Sequence, residues 1–500
     1  MKPFGDLEAW LLIGTQDLYG DAVLATVDEH ARRLAAALDA APGIPVHIRH
    51  YGYICTAEAA RNACLEANAA DRCIGVIVWA HTFSPGKMWI SGLLALRKPL
   101  LHLHTQFNRE LPWAEIDMDF LNINQSAHGD RELAFIQTRL GVRRKTVVGH
   151  WSEPAVQGRV GTWARAACGW LAAQRLRVAR FGDNMRDVAV TEGDKLEAQM
   201  RLGVAVNGYG VNALVDSVRD ASDAEVERLT QLYEEQYELA TSLRTAGERR
   251  PSLLEAARIE VGLRSFLEAG GFQAFTDTFE DLGALGQLPG IAVQRLMEDG
   301  YGFGAEGDWK TAMLVRIIKV MTTGLDGGSS FMEDYTYDLL PPAKVLGAHM
   351  LEVCPSIAAH RPSCEIHPLA IGGRGDPVRL VFTAHPGRAA NVAVVDLGDR
   401  LRLLLNEVEV VTPDQALPRL PVARAVWIPR PDFATAAEAW MTAGGSHHTV
   451  LSFPLSVEMF RDFAEIAGVE LVVIDGTTSA SQFGKELRWN QAWYSHGGRP

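Results

Sequence analysis

The run CIGVIVWA, residues 73–80, contains no charged side chain and no polar alternation. Eight such residues in succession fit a short strand covered on both faces, which is the pattern of a parallel sheet. Working outward, AWLLIG (9–14), IPVHIRHYG (44–52) and KPLLHLHT (98–105) are also strand-like. Between them DEHARRLAAALDA (28–40) and TAEAARNACLEANAA (56–70) carry helical spacing. Strands alternating with helices imply an α/β domain built on a parallel sheet, expected over residues 1–176.

A second alternating region begins at LRVARFGDN (176–184) and runs through long helical patterns at 224–243 and 252–271. The latter closes on Gly270-Gly271, a natural C-cap. The loop YGFGAEG (301–307) is followed by Asp308, a good N-cap for the helix WKTAMLVRIIKVMTTG. This central α/β domain is expected over 177–325. Beyond LDGGSS the pattern changes to FMEDYTYDL, VLGAHMLEVC, VRLVFTAHPG, AANVAVVDLG and RLRLLLNEVEVV, with one late helix in SVEMFRDFAEIAG. Residues 326–500 should therefore be mainly antiparallel β and barrel-like.

At 500 residues the chain needs several cores, and 47% hydrophobic content supplies them. A net charge of −13 argues against nucleic acid and anionic membrane surfaces as partners. No apolar run is long enough to span a bilayer. Six cysteines without a CxxC pair argue against a disulfide framework or a thiolate zinc module. MKPFGDLEAW lacks the apolar core of a signal peptide, so a cytoplasmic location is the default.

Four segments carry candidate chemistry: GFGAEGDWK with Glu306, FMEDYTY with Glu333, GAHMLEVCP with His349, and AGGSHHT with His447-His448. Two carboxylates and two imidazoles suffice for one divalent metal with positions left for substrate. Mixed oxygen and nitrogen donors suit Mn²⁺ or a similar first-row ion. Period-two alternation and a break centred near Pro341 would place Glu333 almost opposite His349 in a hairpin. Each has a plainer reading: Glu306 as an acidic group at a helix start, Glu333–His349 as an ion pair, the histidine pair as structural. Neighbours in an extended segment face opposite ways, so one of His447 and His448 would reach a common centre. GTQDLYG, after the first strand, lacks the GxGxxG spacing of a dinucleotide fingerprint.

Long strings then become recognisable, among them IGTQDLYG, HTFSPGKMWI, LPWAEIDMDF, RFGDNMRDVAVTEGDK, GDWKTA, GSSFMEDYTY, HMLEVCPSIA and AGGSHHT. On these the chain resembles the bacterial L-arabinose isomerase family from end to end. The resemblance implies an aldose–ketose isomerase that interconverts L-arabinose and L-ribulose. It implies one Mn²⁺ held by Glu306, Glu333, His349 and His448, rather than His447. It places Gln16 and His128 near the sugar, His128 coming from a neighbouring subunit, and it implies three domains and a homohexamer built as a dimer of trimers. The family's HGG stands here as His128-Gly129-Asp130, which could alter sugar contacts or a subunit interface. D-Galactose, giving D-tagatose, is the expected side substrate. The alternatives are an isomerase of another sugar such as L-fucose, since a pocket discriminates one added group only modestly, or a non-catalytic sugar-binding protein.

Overall fold

The computed structural model describes residues 2–495; the extreme ends of the expected first and last domains, 1 and 496–500, lie outside the described residues. Two compact units emerge. Among the described residues, one holds 2–171 together with 458–468, and the other holds 172–457 and 469–495.

The first unit is built on β1 (Glu8–Gly14), β2 (His47–Ile54), β3 (Cys73–Ala80), β4 (Leu100–His104) and β5 (Lys145–Val148). They form one parallel sheet in the order β2-β1-β3-β4-β5. Every residue of the central β3 is buried, as its unbroken apolar run requires. The helix Asp21–Ala40 buries Leu24, Val27, Ala31, Leu34, Ala35 and Leu38, one stripe at three- and four-residue spacing. Each fully buried leucine there contributes roughly 1.5–3 kcal/mol. Thr56 caps the next helix, Ala57–Ala69, by accepting from Ala59 N at 3.1 Å. The late segment 458–468 joins this unit through Lys145, whose Nζ lies 2.9 Å from Glu458 and 2.5 Å from Asp462.

The second unit opens with β6 (Arg177–Phe181), β7 (Ala205–Tyr209), the short β8 (Glu238–Leu239), β9 (Ala274–Thr276) and β10 (Gly302–Gly304). A four-stranded parallel sheet runs β10-β9-β6-β7. The remaining strands are β11 (Ser329–Asp338), β12 (Lys344–Ala348), β13 (Ser363–Ile366), β14 (Val378–Val381), β15 (Gly387–Asp396), β16 (Leu401–Val411), β17 (Arg424–Pro429), β18 (His448–Ser452) and β19 (Glu470–Ile474). Seven of them follow the order β15-β18-β11-β12-β17-β16-β19, and β15 also pairs with β16. The first six therefore close on themselves as an antiparallel barrel, which leaves those strands no open edge on that circuit. β19 attaches to β16 in parallel. The chain is α/β with a mainly antiparallel C-terminal β region, as its patterning indicates.

One local expectation needs correction. Glu333 does not face His349 across the hairpin; it pairs with Ala348. A bulge between Asp334 and Thr336 inserts Tyr335 and shifts the register by one. His349 consequently lies one residue past the end of β12, and the strand-like run VLGAHMLEVC ends at Ala348.

Candidate metal centre

Four segments of the second unit deliver the cluster. β11 is flanked by β12 and β18, and Glu333 pairs directly with Ala348 on one side and His448 on the other. Glu333, His448 and the residue after Ala348 are thus brought side by side by sheet register. Glu306 comes from the loop between β10 and the helix Trp309–Met321. Its φ of 61° is left-handed, an uncommon state for a residue with a Cβ. Surrounding bonds hold it there: Glu306 O accepts from Met185 N at 3.0 Å, and Gly307 N donates to Asp277 O at 2.9 Å. A Cβ on Gly307 would stand 2.6 Å from Asp183 O, so only glycine lets this loop lie against RFGDN.

Potential ligand atoms of Glu306, His349 and His448 all lie within 4.8 Å of one another. His448 Nε2 is 3.7 Å from Glu306 Oε2. Glu333 is outside that tightest trio, yet its Oε2 is 3.7 Å from His349 Nε2. Bonds of about 2.0–2.2 Å to one ion leave its ligand atoms about 3–4 Å apart, so these spacings fit. His448 Nε2 adds a second observation. It is buried without any hydrogen-bond partner, a costly state for a polar nitrogen that a cation would relieve. The donor set therefore suits a first-row divalent ion. His447, by contrast, lies outside the trio; burial first, then the charge of His448, pulls its pKa down to about 4.

Both cluster histidines are held from behind. His448 Nδ1 donates to Asp308 Oδ2 at 3.1 Å. His349 Nδ1 donates to Glu352 Oε2, which also accepts from Leu351 N at 3.0 Å. The buried Phe331 ring meets both imidazoles edge-on, 5.2 Å from His349 and 5.1 Å from His448 between centroids. Burial pushes the Asp308 pKa up, but Lys310 and His448 outweigh it and hold the group well below the carboxylate range. Glu333 is raised by burial, aided by the Glu306 charge and opposed by the two histidines. His349 loses basicity to burial yet is lifted to about 9, chiefly by Glu352. Asp277, just past β9, is pushed up to about 7 by burial and the Glu352 charge.

Sequence reasoning gave Asp308 only its capping role and passed over Glu352 and Asp277. For Glu352 the His-x-x-Glu spacing was a usable signal; Asp308 and His448, 140 positions apart, offered none.

The two expected sugar-contact residues belong to the first unit. Gln16 is half-buried in the turn leaving β1, and His128 is exposed on the helix Ser126–Arg139. Asp130 points inward. It accepts from Ala80 N at 2.7 Å, His102 Nε2 at 2.9 Å and His104 Nδ1 at 2.9 Å, tying that helix to β3 and β4. Gly129 fits because a Cβ there would stand 2.4 Å from Thr82 O. Among the described residues no helix is long and apolar enough to cross a membrane.

Family models for the L-arabinose isomerase N-terminal, central and C-terminal domains match residues 3–175, 177–324 and 328–470. A Nocardioides protein named L-arabinose isomerase is 60% identical over 490 residues, 98% of each chain. One from Clavibacter sepedonicus is 60% identical over 97% of each chain, and one from Geobacillus stearothermophilus is 56% identical over 99% of each.

Proposed function

The chain belongs to the L-arabinose isomerase family and is an isomerase, and from that premise we propose that it converts L-arabinose to L-ribulose with one Mn²⁺ held by Glu306, Glu333, His349 and His448. The convergence of Glu306, His349 and His448, one of whose ligand nitrogens is buried without a partner, is the observation that carries the metal reading. Isomerase membership sets aside the alternative of a non-catalytic sugar-binding protein.

The cation, when bound, supplies Lewis acidity to neighbouring sugar oxygens. The chain's own part is proton handling and exclusion of water. Glu306 and Glu333 approach the same centre from a loop and from a strand, so each can serve one of two adjacent carbons. Glu333, its pKa raised mainly by burial, is suited to carry a proton to the sugar. Glu306 then removes the proton from C2 of the aldose as O1 gains one, giving an ene-diol; Glu333 delivers a proton to C1 as the O2 hydroxyl loses its own, and proton exchange with solvent restores both carboxyls. Phe331 walls the back of the site with apolar surface. Gln16 and His128 contact the sugar, His128 from a neighbouring chain of a homohexamer that works in the cytoplasm. D-Galactose is a slower substrate because its extra hydroxymethyl group changes the fit and leaves the chemistry alone.

Product analysis with L-arabinose and D-galactose side by side, with and without Mn²⁺, tests this. Ribulose in excess of tagatose, and neither after chelation, is expected; metal-independent ketose formation would refute it. In deuterated water the ene-diol route puts solvent label on the product carbon. Absence of label, with shielded internal return excluded, would point to a hydride shift.

A further inference from the structure

We propose that Asp308 is a positioning residue for His448, setting which imidazole nitrogen carries the proton; this rests on the metal reading above. A neutral histidine binds a cation through the nitrogen without hydrogen, and the partner on the other nitrogen selects the tautomer. His448 Nδ1 faces Asp308 Oδ2 at 3.1 Å, and an ionised carboxylate only accepts, so the proton sits on Nδ1. That leaves the Nε2 lone pair directed at the cluster, where the structure gives it no partner. Asp308 is suited to a fixed orientation. It is buried and multiply held: Oδ1 accepts from Lys310 N and Thr311 N, each at 3.1 Å, and from Lys310 Nζ at 3.4 Å, and Oδ2 accepts from Thr311 Oγ1 at 2.7 Å. The start of the helix Trp309–Met321 thus anchors the ring of a residue on β18.

Glu352 meets the other cluster histidine differently. Its single atom Oε2 accepts from both His349 Nδ1 and Leu351 N. A glutamine there can set its carbonyl oxygen in that place and keep both bonds. An asparagine at 308 cannot do the same. With its oxygen capping the helix, its amide NH₂ takes the Oδ2 position and donates to His448 Nδ1, which forces the proton onto Nε2 and blocks the cation.

The test is binding of Mn²⁺, read by loss of the free-ion magnetic resonance signal, and of Co²⁺, read by its visible absorption, in the full-length protein. Asp308→Asn should remain folded, with a melting temperature lowered by loss of the Lys310 contact, and lose about 10- to 100-fold in Mn²⁺ affinity, with an altered Co²⁺ spectrum. Glu352→Gln, which keeps both bonds and loses only the charge, should lose less affinity than Asp308→Asn. Asp308→Ser keeps a capping oxygen but has no second arm, so its affinity should fall between wild type and Asp308→Asn. If Asp308 only supports the fold, the isosteric Asp308→Asn will bind better than Asp308→Ser, and that ranking overturns the inference. So does an Asp308→Asn protein with wild-type affinity. Wild-type protein that takes up neither ion would instead sink the metal reading on which the inference stands.

Discussion

The molecule pairs histidine with buried carboxylate in both of its units, and the two pairings differ in what they leave over. In the first unit His102 spends both ring nitrogens, one on Asp130 and one on Gln137 at 3.0 Å, and Asp130 also holds Ala80 N and His104. In the second, Asp308 and Glu352 occupy the Nδ1 atoms of His448 and His349, and the Nε2 atoms turn toward further carboxylates at 3.7 Å. Similar residues thus make a saturated structural tie in one place and an unsaturated donor set in the other. In this pair of clusters, unspent capacity on the imidazole itself, more than residue type, separates the candidate site from the strut.

Breaking the unsaturated side should have the largest effect. Glu306→Ala and Glu333→Ala are each expected to fold normally and to lose about 100- to 10,000-fold in kcat, the range for removal of a general acid or base. Steady-state kinetics with a thermal melt checks both; wild-type turnover in either removes its assigned role. Breaking the saturated side should cost stability instead. Asp130→Ala strands His102, His104 and Ala80 N, and denaturant unfolding should show a loss of about 3 kcal/mol with Mn²⁺ affinity unchanged. A drop in affinity without a drop in stability would reverse the contrast.

Ligand stabilisation sharpens the same division. Mn²⁺ at 100 times its dissociation constant should stabilise the wild-type protein by about 2.7 kcal/mol, visible as a raised Tm. His448→Ala should lose most of that shift, and His447→Ala should keep it. The smallest effect concerns His104, held above the ordinary histidine range mainly by its bond to Asp130, against burial. A raised folded value means that this contribution is complete below the unfolded pKa and disappears as pH rises through the folded one. The stability advantage of wild type over His104→Gln should accordingly be greatest in mild acid and shrink as the solution turns alkaline. An advantage that grows with pH would show that the ring is neutral against Asp130.

How much of this the sequence discloses depends on the range of the interaction. β1 and β3 are legible because apolar runs buried on both faces depend on little beyond the residues themselves. Asp308 is legible as an N-cap because capping is decided within three residues. The β11–β12 hairpin is legible as a hairpin, but its register slips at Tyr335, since a bulge is fixed by what the strand packs against. The tie from Lys145 to Asp462 spans 317 positions, and no local pattern announces it. The candidate ligands stand out by residue type and by family resemblance. Their supporting carboxylates do not, because support is a property of contact.

The most direct test of the account is a calorimetric titration of metal-free protein with Mn²⁺, beside the Glu306→Ala, His349→Ala and His448→Ala variants. One ion per chain in the wild-type protein, and strongly weakened uptake in each variant, is the expected result. A wild-type chain that takes up no Mn²⁺, or three variants that bind it as tightly as wild type, would contradict the central claim.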